Sequence, residues 1–109
     1  MTGIKLYKIF VTTPESHTDL IINEMSQSGA GIVGNYTHCA FITKGIGSNL
    51  PNDKANPYIG SSGKMFREIE DKIEMICPKE DLDNVLNAIK KVHPYETPTI
   101  DVIEITFFN

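Results

Sequence analysis

At 109 residues and 12.1 kDa the chain has the length of one domain, for which about 100–150 residues is usual, and it can bury roughly two-thirds of its unfolded surface. Hydrophobic residues make up 40% and charged residues 22%, a balance that excludes a disordered chain. The net charge is −4 and no basic run exceeds Lys90-Lys91, which excludes a phosphate-neutralising patch and gives no basis for docking on an anionic membrane. Neither nucleic acid nor membrane is expected as a partner.

No apolar run approaches the roughly 18 residues of a membrane span, and Lys5 and Lys8 interrupt the N-terminal apolar stretch where a signal peptide would be continuous. A cytoplasmic location is expected. Cys39 and Cys77 are not spaced as a CxxC pair, so in a reducing compartment they are expected to be free, buried thiols.

In chain order, residues 4–12 alternate as a strand that Pro14 ends. Ser16, three residues before Asp19, predicts a capped helix with Ile21, Met25 and Ser28 on one face and Gly29 as its stop. Glycine-rich turns at 29–35 lead to a second strand over 36–43, with Cys39 and Phe41 on one face and His38 and Ala40 on the other. Residues 44–63, rich in Gly, Asn, Ser and Pro, are expected to form a long connection, and structureless connections of that length are usually functional or mobile.

A long third strand over 64–77 places Ile69, Ile73, Met75 and Cys77 on one face and Glu68, Glu70, Lys72 and Glu74 on the other. Pro78 closes it. A second helix follows from Glu80, its stripe formed by Leu82, Val85, Leu86, Ile89 and Val92. Glu80 and Asp81 at its start and Lys90 and Lys91 at its end match the helix dipole. His93, preceding Pro94, is pushed out of helical geometry, and residues 99–108 make a fourth strand. The order β-α-β-β-α-β predicts a single α+β domain over residues 1–109, a ferredoxin-like four-stranded antiparallel sheet with two helices on one face.

Several segments then match a known pattern in order along nearly the whole chain: Pro14-Glu15-Ser16-His17, Gly29-Ala30-Gly31, Gly34-Asn35-Tyr36, Cys39-Ala40-Phe41, Gly45-Ile46-Gly47, Pro57-Tyr58-Ile59-Gly60, Gly63 and His93-Pro94-Tyr95-Glu96. Through them the chain resembles the PII-like domain of the YqfO-like (Nif-three-like, NGG-interacting-factor related) family and is read as a stand-alone copy of that unit. His93 to Glu96 with Thr97-Pro98 is also similar to the corresponding segment of CutA-type proteins. The resemblance implies a PII/CutA-like fold and a homotrimer. In long family members this unit sits between two α/β halves that carry a dinuclear metal centre. Those halves are absent from this sequence, so a hydrolase or cyclohydrolase activity does not transfer with the resemblance. The family's Tyr-Asp-x-x-Pro-Leu ending is replaced by Ile100-Asp101-Val102-Ile103-Glu104-Ile105, a departure at the last strand's proline.

Candidate chemistry centres on residues 93–96. His93 and Glu96 suit a divalent ion, copper or zinc in a CutA-like reading, with His38 as a third ligand. In the structural reading, Pro94 and Pro98 fix a helix-to-strand turn while His93 and Glu96 bond backbone groups or a neighbouring subunit. Two ligands fall short of a closed site, so any metal site requires copies from several chains. His38 and Cys39, adjacent on a strand, point to opposite faces, which favours Cys39 in the core. Gly60-Ser61-Ser62-Gly63-Lys64 lacks P-loop spacing, and Gly45-Ile46-Gly47 lacks the third glycine of a dinucleotide fingerprint; an anion-binding backbone nest remains open for such a loop.

The leading expectation is a trimeric, non-enzymatic binding or regulatory module. Its candidate ligand-binding residues are His93, Tyr95, Glu96, Gly45, Gly47, Gly60 and Gly63. Divalent-metal binding through His93, Glu96 and His38 is the alternative, and an enzyme acting on a small molecule stands third because no nucleophile with an oriented base can be assembled.

Overall fold

The period-two alternation of residues 66–77 defines the two faces of the sheet around which the chain folds. The computed structural model describes residues 1–109. Strands β1 (Gly3–Pro14), β2 (Phe41–Asn49), β3 (Phe66–Cys77) and β4 (Ile100–Phe108) alternate with helices α1 (Thr18–Gln27) and α2 (Leu82–Val92) in the order β1-α1-β2-β3-α2-β4. The sheet order is β2-β3-β1-β4 and every neighbouring pair is antiparallel. This is the ferredoxin-like arrangement that the sequence predicts.

Both helices lie on one face. Ile21 and Met25 of α1 and Val85 and Ile89 of α2 pack on Ile9 and Val11 of β1 and Ile73, Met75 and Cys77 of β3. These nine residues and Ala30 form a single core of ten buried side chains. Leu82, Leu86 and Val92 flank it as the amphipathic stripe requires. Each fully buried aliphatic side chain contributes roughly 1.5–3 kcal/mol of hydrophobic stabilisation.

The strands are staggered. Tyr7 to Pro14 of β1 pair with Cys77 to Glu70 of β3, whereas Phe41 to Asn49 of β2 pair with Glu74 to Phe66. The β2–β3 hairpin therefore runs on past the end of β1, and the molecule reaches 51 Å in its longest dimension. Ile69 shares the core-side alternation of β3 but lies on this projecting part, beyond helical cover, and is 57% exposed.

Three expectations are corrected. The second strand begins at Phe41, five residues later than expected, and extends to Asn49, so Gly45 and Gly47 are strand residues and not loop residues. Residues 36–40 instead follow a turn bridged by Val33 and Tyr36; His38 has a φ of 60°, and the Cys39 N–H donates to the Gly31 carbonyl at 2.9 Å. The long alternating edge of β3 supplies backbone partners throughout 66–74, which outweighs the low strand propensity of two glycines. The connection is thereby shortened to residues 50–65.

The second correction concerns Ser16, which does not cap α1. A short 3₁₀ turn, Glu15–His17, precedes the helix, and the Ser16 hydroxyl bonds His17 Nδ1 at 2.8 Å. The third concerns Cys39, which is half-buried outside the core, whereas Cys77 is buried; both thiols are free. Burial pushes the Cys77 thiol up to about 11, with Asp81 and Glu80 acting in the same direction.

Ile73→Ala, which empties a site with no solvent exposure between both helices and the sheet, is expected to cost about 2–5 kcal/mol of unfolding free energy in urea. A loss below about 1 kcal/mol would contradict the assigned core.

Candidate ligand-binding cleft

Leaving α2, the chain turns extended at His93 (φ −69°, ψ 133°), as a residue before proline must. The imidazole is buried. Its Nε2–H donates to the Thr12 carbonyl at 2.7 Å, and its Nδ1 accepts from the Tyr95 N–H at 3.1 Å. A carbonyl only accepts and an amide only donates, so these partners fix the neutral tautomer with hydrogen on Nε2. Burial lowers the His93 pKa below its ordinary value; the Thr12 carbonyl opposes this, and His17 and Glu70 have smaller, opposing effects. The residue ties the end of α2 to β1 and aims the next residues across the face of the sheet that the helices leave open.

There Tyr95 becomes the centre of the arrangement. Its hydroxyl lies 3.0 Å from Glu68 Oε1 and in short contact with Glu70 Oε2. Burial, together with these two carboxylates, holds the tyrosine well above its usual pKa. Gly47 lies beneath: a Cβ there would stand 1.9 Å from Glu70 Oε1. That close approach, and not a loop conformation, is the reason for glycine at this point of the strand. The 50–65 connection closes over the other side. The Asn56 N–H donates to Glu96 Oε1 at 2.8 Å, and the Tyr58 ring lies 6.4 Å from that of Tyr95 and 6.0 Å, edge-on, from that of His17.

A cleft of about 310 Å³ results, bordered by the β2–β3 tip, the 50–65 connection and residues 95–99. Of the residues singled out from sequence, Tyr95, Glu96 and Gly47 border it. Gly60 (φ 102°) packs against Phe66 and Gly63 (φ 75°) donates its N–H to the Pro51 carbonyl at 2.8 Å, so both shape the loop that covers it. Gly45 is in mid-strand opposite Glu70.

His38, His93 and Glu96 do not come together as a metal centre, and the chain has no group of three His, Cys, Asp or Glu side chains placed to hold an ion. His38 Nε2 meets Asn23 Oδ1 at 3.1 Å and its Nδ1 meets the Thr37 hydroxyl at 2.9 Å. In this arrangement the ring nitrogens of both histidines are engaged by protein partners.

Sequence reasoning missed Tyr58, Glu68 and Glu70 as cleft residues. The alternation of β3 was the available signal, since it put the two glutamates on the face away from the helices. A second omission is Asp71 on the core-side face, buried beneath Lys44. The Thr18 hydroxyl donates to its Oδ2 at 2.7 Å, and Lys44 Nζ lies 2.9 Å from its Oδ1 while also pairing with Glu15 at 2.5 Å. The Thr18 bond, and then Lys44, hold the Asp71 carboxyl below its usual range despite burial.

The fold is that of a PII/CutA-like, ferredoxin-like α+β domain. The divalent ion tolerance protein CutA1 of Ehrlichia chaffeensis superposes on 95% of the chain, and on 84% of its own length, with a TM-score of 0.67 at 20% identity. The apo PII-like protein CutA of Nostoc sp. PCC 7120 does so over 91% and 80%, with a TM-score of 0.65 at 17% identity.

By sequence the chain is similar to one part of longer proteins. It is 40% identical over 101 residues to the GTP cyclohydrolase 1 type 2 homolog of Halalkalibacterium halodurans and 38% identical over 97 residues to that of Bacillus subtilis. These matches take in 93% and 89% of this chain but only 27% and 26% of the relatives, so the chain spans about a quarter of their length. The Bacillus cereus protein related to NIF3 superposes on 96% of the chain and 27% of its own, with a TM-score of 0.80 at 30% identity. No family model matches.

Acidification is expected to destabilise the fold in two stages. As pH falls through about 6.5 the unfolded chain takes up the His93 proton before the folded one does, so stability declines. Below the ordinary Asp71 value of 3.8, the stability held by that depressed carboxyl is lost as well. Urea unfolding across pH 3–8 should show both declines, and His93→Gln should remove the first; NMR titration placing His93 at or above 6.5 would contradict the geometry.

Proposed function

We propose that this chain is a homotrimeric, non-enzymatic PII/CutA-like binding or regulatory module that takes a small ligand into the cleft beneath the 50–65 connection. The observation carrying the proposal is the closure of that connection and the 95–99 segment over one pocket of about 310 Å³. This lies within the roughly 300–1,000 Å³ that small-molecule sites occupy. Binding is favoured over catalysis by the state of the titratable groups. His93 has both nitrogens engaged by backbone, and the raised pKa of Tyr95 makes it a poor base at neutral pH.

The trimer is supported by the second face of the sheet. Opposite the helices, Leu6, Phe10, Ile76, Ile103, Ile105 and Phe107 share one side of the strand registers, and Ile103 is 50% exposed. A sheet apolar on both faces needs cover on both, and further copies of the chain supply it. No helix is long and apolar enough to cross a membrane, and the expected location is cytoplasmic. The cyclohydrolase name belongs to relatives of which this chain matches about a quarter, and that activity is not part of the proposal.

Sedimentation at micromolar concentration should give three times the 12.1 kDa protomer mass, and Ile103→Glu should shift it to monomer. A strict monomer for the unaltered protein would reject the trimer.

A further inference from the structure

The cleft is one-sided in charge. Glu68, Glu70 and Glu96 border it, and no Lys, Arg or His does. Glu68 and Glu70 converge on the Tyr95 hydroxyl, which has a single proton for two carboxylate acceptors. Neither glutamate has a basic partner: the ion pairs of the chain are Lys8–Glu74, Lys44–Glu15 and Lys44–Asp71. The contrast with Asp71, the next residue along β3, is direct. That carboxylate points to the helix side and receives both an ammonium and a hydroxyl, whereas its neighbours on the cleft side receive one shared hydroxyl.

The remaining walls are apolar and aromatic. Tyr58 and Tyr95 face the space with ring centroids 6.4 Å apart and planes inclined at 56°. Leu50, Pro57, Ile59 and Phe66 complete the lining. A cation set against tyrosine faces is attracted by the negative face of the ring quadrupole, more strongly as it loses water, and its charge-assisted bonds to carboxylates are roughly twice as strong as neutral ones. An anion in the same space would face three carboxylates without a counter-charge, a costly burial. The hydrocarbon walls give no compensation to a bare inorganic ion, which wants more oxygen ligands than converge here.

We infer that the cleft takes a small organic cation, a protonated amine or guanidinium on a planar or apolar body. Its charge lies against Glu68 and Glu70 and its body against the wall formed by Tyr58 and Tyr95. The inference rests on the reading of the cleft as a small-ligand site and specifies the ligand's chemical class.

Calorimetric titration of the full chain in its native assembly state, at low salt, tests it. The probes are benzylamine and agmatine, the neutral isostere benzyl alcohol, ATP as an anion and calcium as an inorganic cation. The amines should bind, and benzyl alcohol should bind roughly tenfold or more weakly than benzylamine, the effect of losing a charge-assisted contact. Glu68→Gln and Glu70→Gln should weaken amine binding by a similar factor while melting cooperatively, and Tyr58→Ala should weaken it as well.

Equal binding of benzylamine and benzyl alcohol would overturn the inference without any variant having to fold. So would undiminished amine binding by both glutamine variants, calcium binding in place of the amines, or no amine binding at millimolar concentration. ATP binding that is lost in Tyr58→Ala, with no binding of amines, would keep the cleft as a ligand site and reject the cation.

Discussion

Strand β1 stops at Pro14, and the cleft follows from that stop. Proline has no N–H to extend a ladder, and Pro14 opposite Glu70 is the last pair between β1 and β3. Beyond it β3 continues through Phe66 with β2 as its partner, leaving a projecting two-stranded tip. Two-stranded ribbons are marginal without further packing. Here the tip is flanked by the 95–99 segment and covered by the 50–65 connection, which bond to one another through Asn56 and Glu96. The same discontinuity thus creates the need for cover and the space that the cover encloses.

The electrostatics of β3 follow from its alternation. Asp71 is carried to the core side and nearly loses its water, at 4% exposure. A carboxylate in that position must be paired or protonated, and Lys44 from β2, with Thr18 from α1, provides the pairing. Lys44 also reaches Glu15 in the 3₁₀ turn, joining the edge strand to the start of α1. Glu68 and Glu70 are carried to the opposite side, half-buried, where Tyr95 alone meets both. Charge compensation is therefore complete on the structural side of the strand and incomplete on the cleft side.

Much of this is legible in the residues. The stripe of α2 and the alternation of β3 are strong because burial enforces them at every turn, and the extended backbone at His93 follows from a steric rule about proline. The boundaries of β2 were not legible. Glycines at 45 and 47 carry no positive strand signal, and their place in the sheet comes from a partner strand some twenty residues on and from the room that Glu70 needs. The role of His93 was legible only in part: the structural reading of its segment fits the observed bonds, but the partner is the Thr12 carbonyl, 81 residues earlier, which no local pattern discloses. A metal site near residues 93–96 was expected to need copies from several chains, whereas the cleft forms within one chain. Its closure within one chain depends on Tyr58 meeting Tyr95, a contact set by the path of an irregular loop.

The comparisons divide in the same way. Neighbours at 17–20% identity share the arrangement of strands and helices, and a shared arrangement fixes the core but not the chemistry placed on it. The NIF3-related structure agrees more closely, at a TM-score of 0.80, over a quarter of a longer protein. Outside the core, the cleft side chains of this chain come from the hairpin tip, its covering loop and the turn after α2. In this chain those three places contribute Glu68 and Glu70, Tyr58, and Tyr95 with Glu96. None of these side chains belongs to the hydrophobic core, and their type is not dictated by it. The core does not require two tyrosine rings and three carboxylates without a cation at these positions, and the proposed ligand gives them a role.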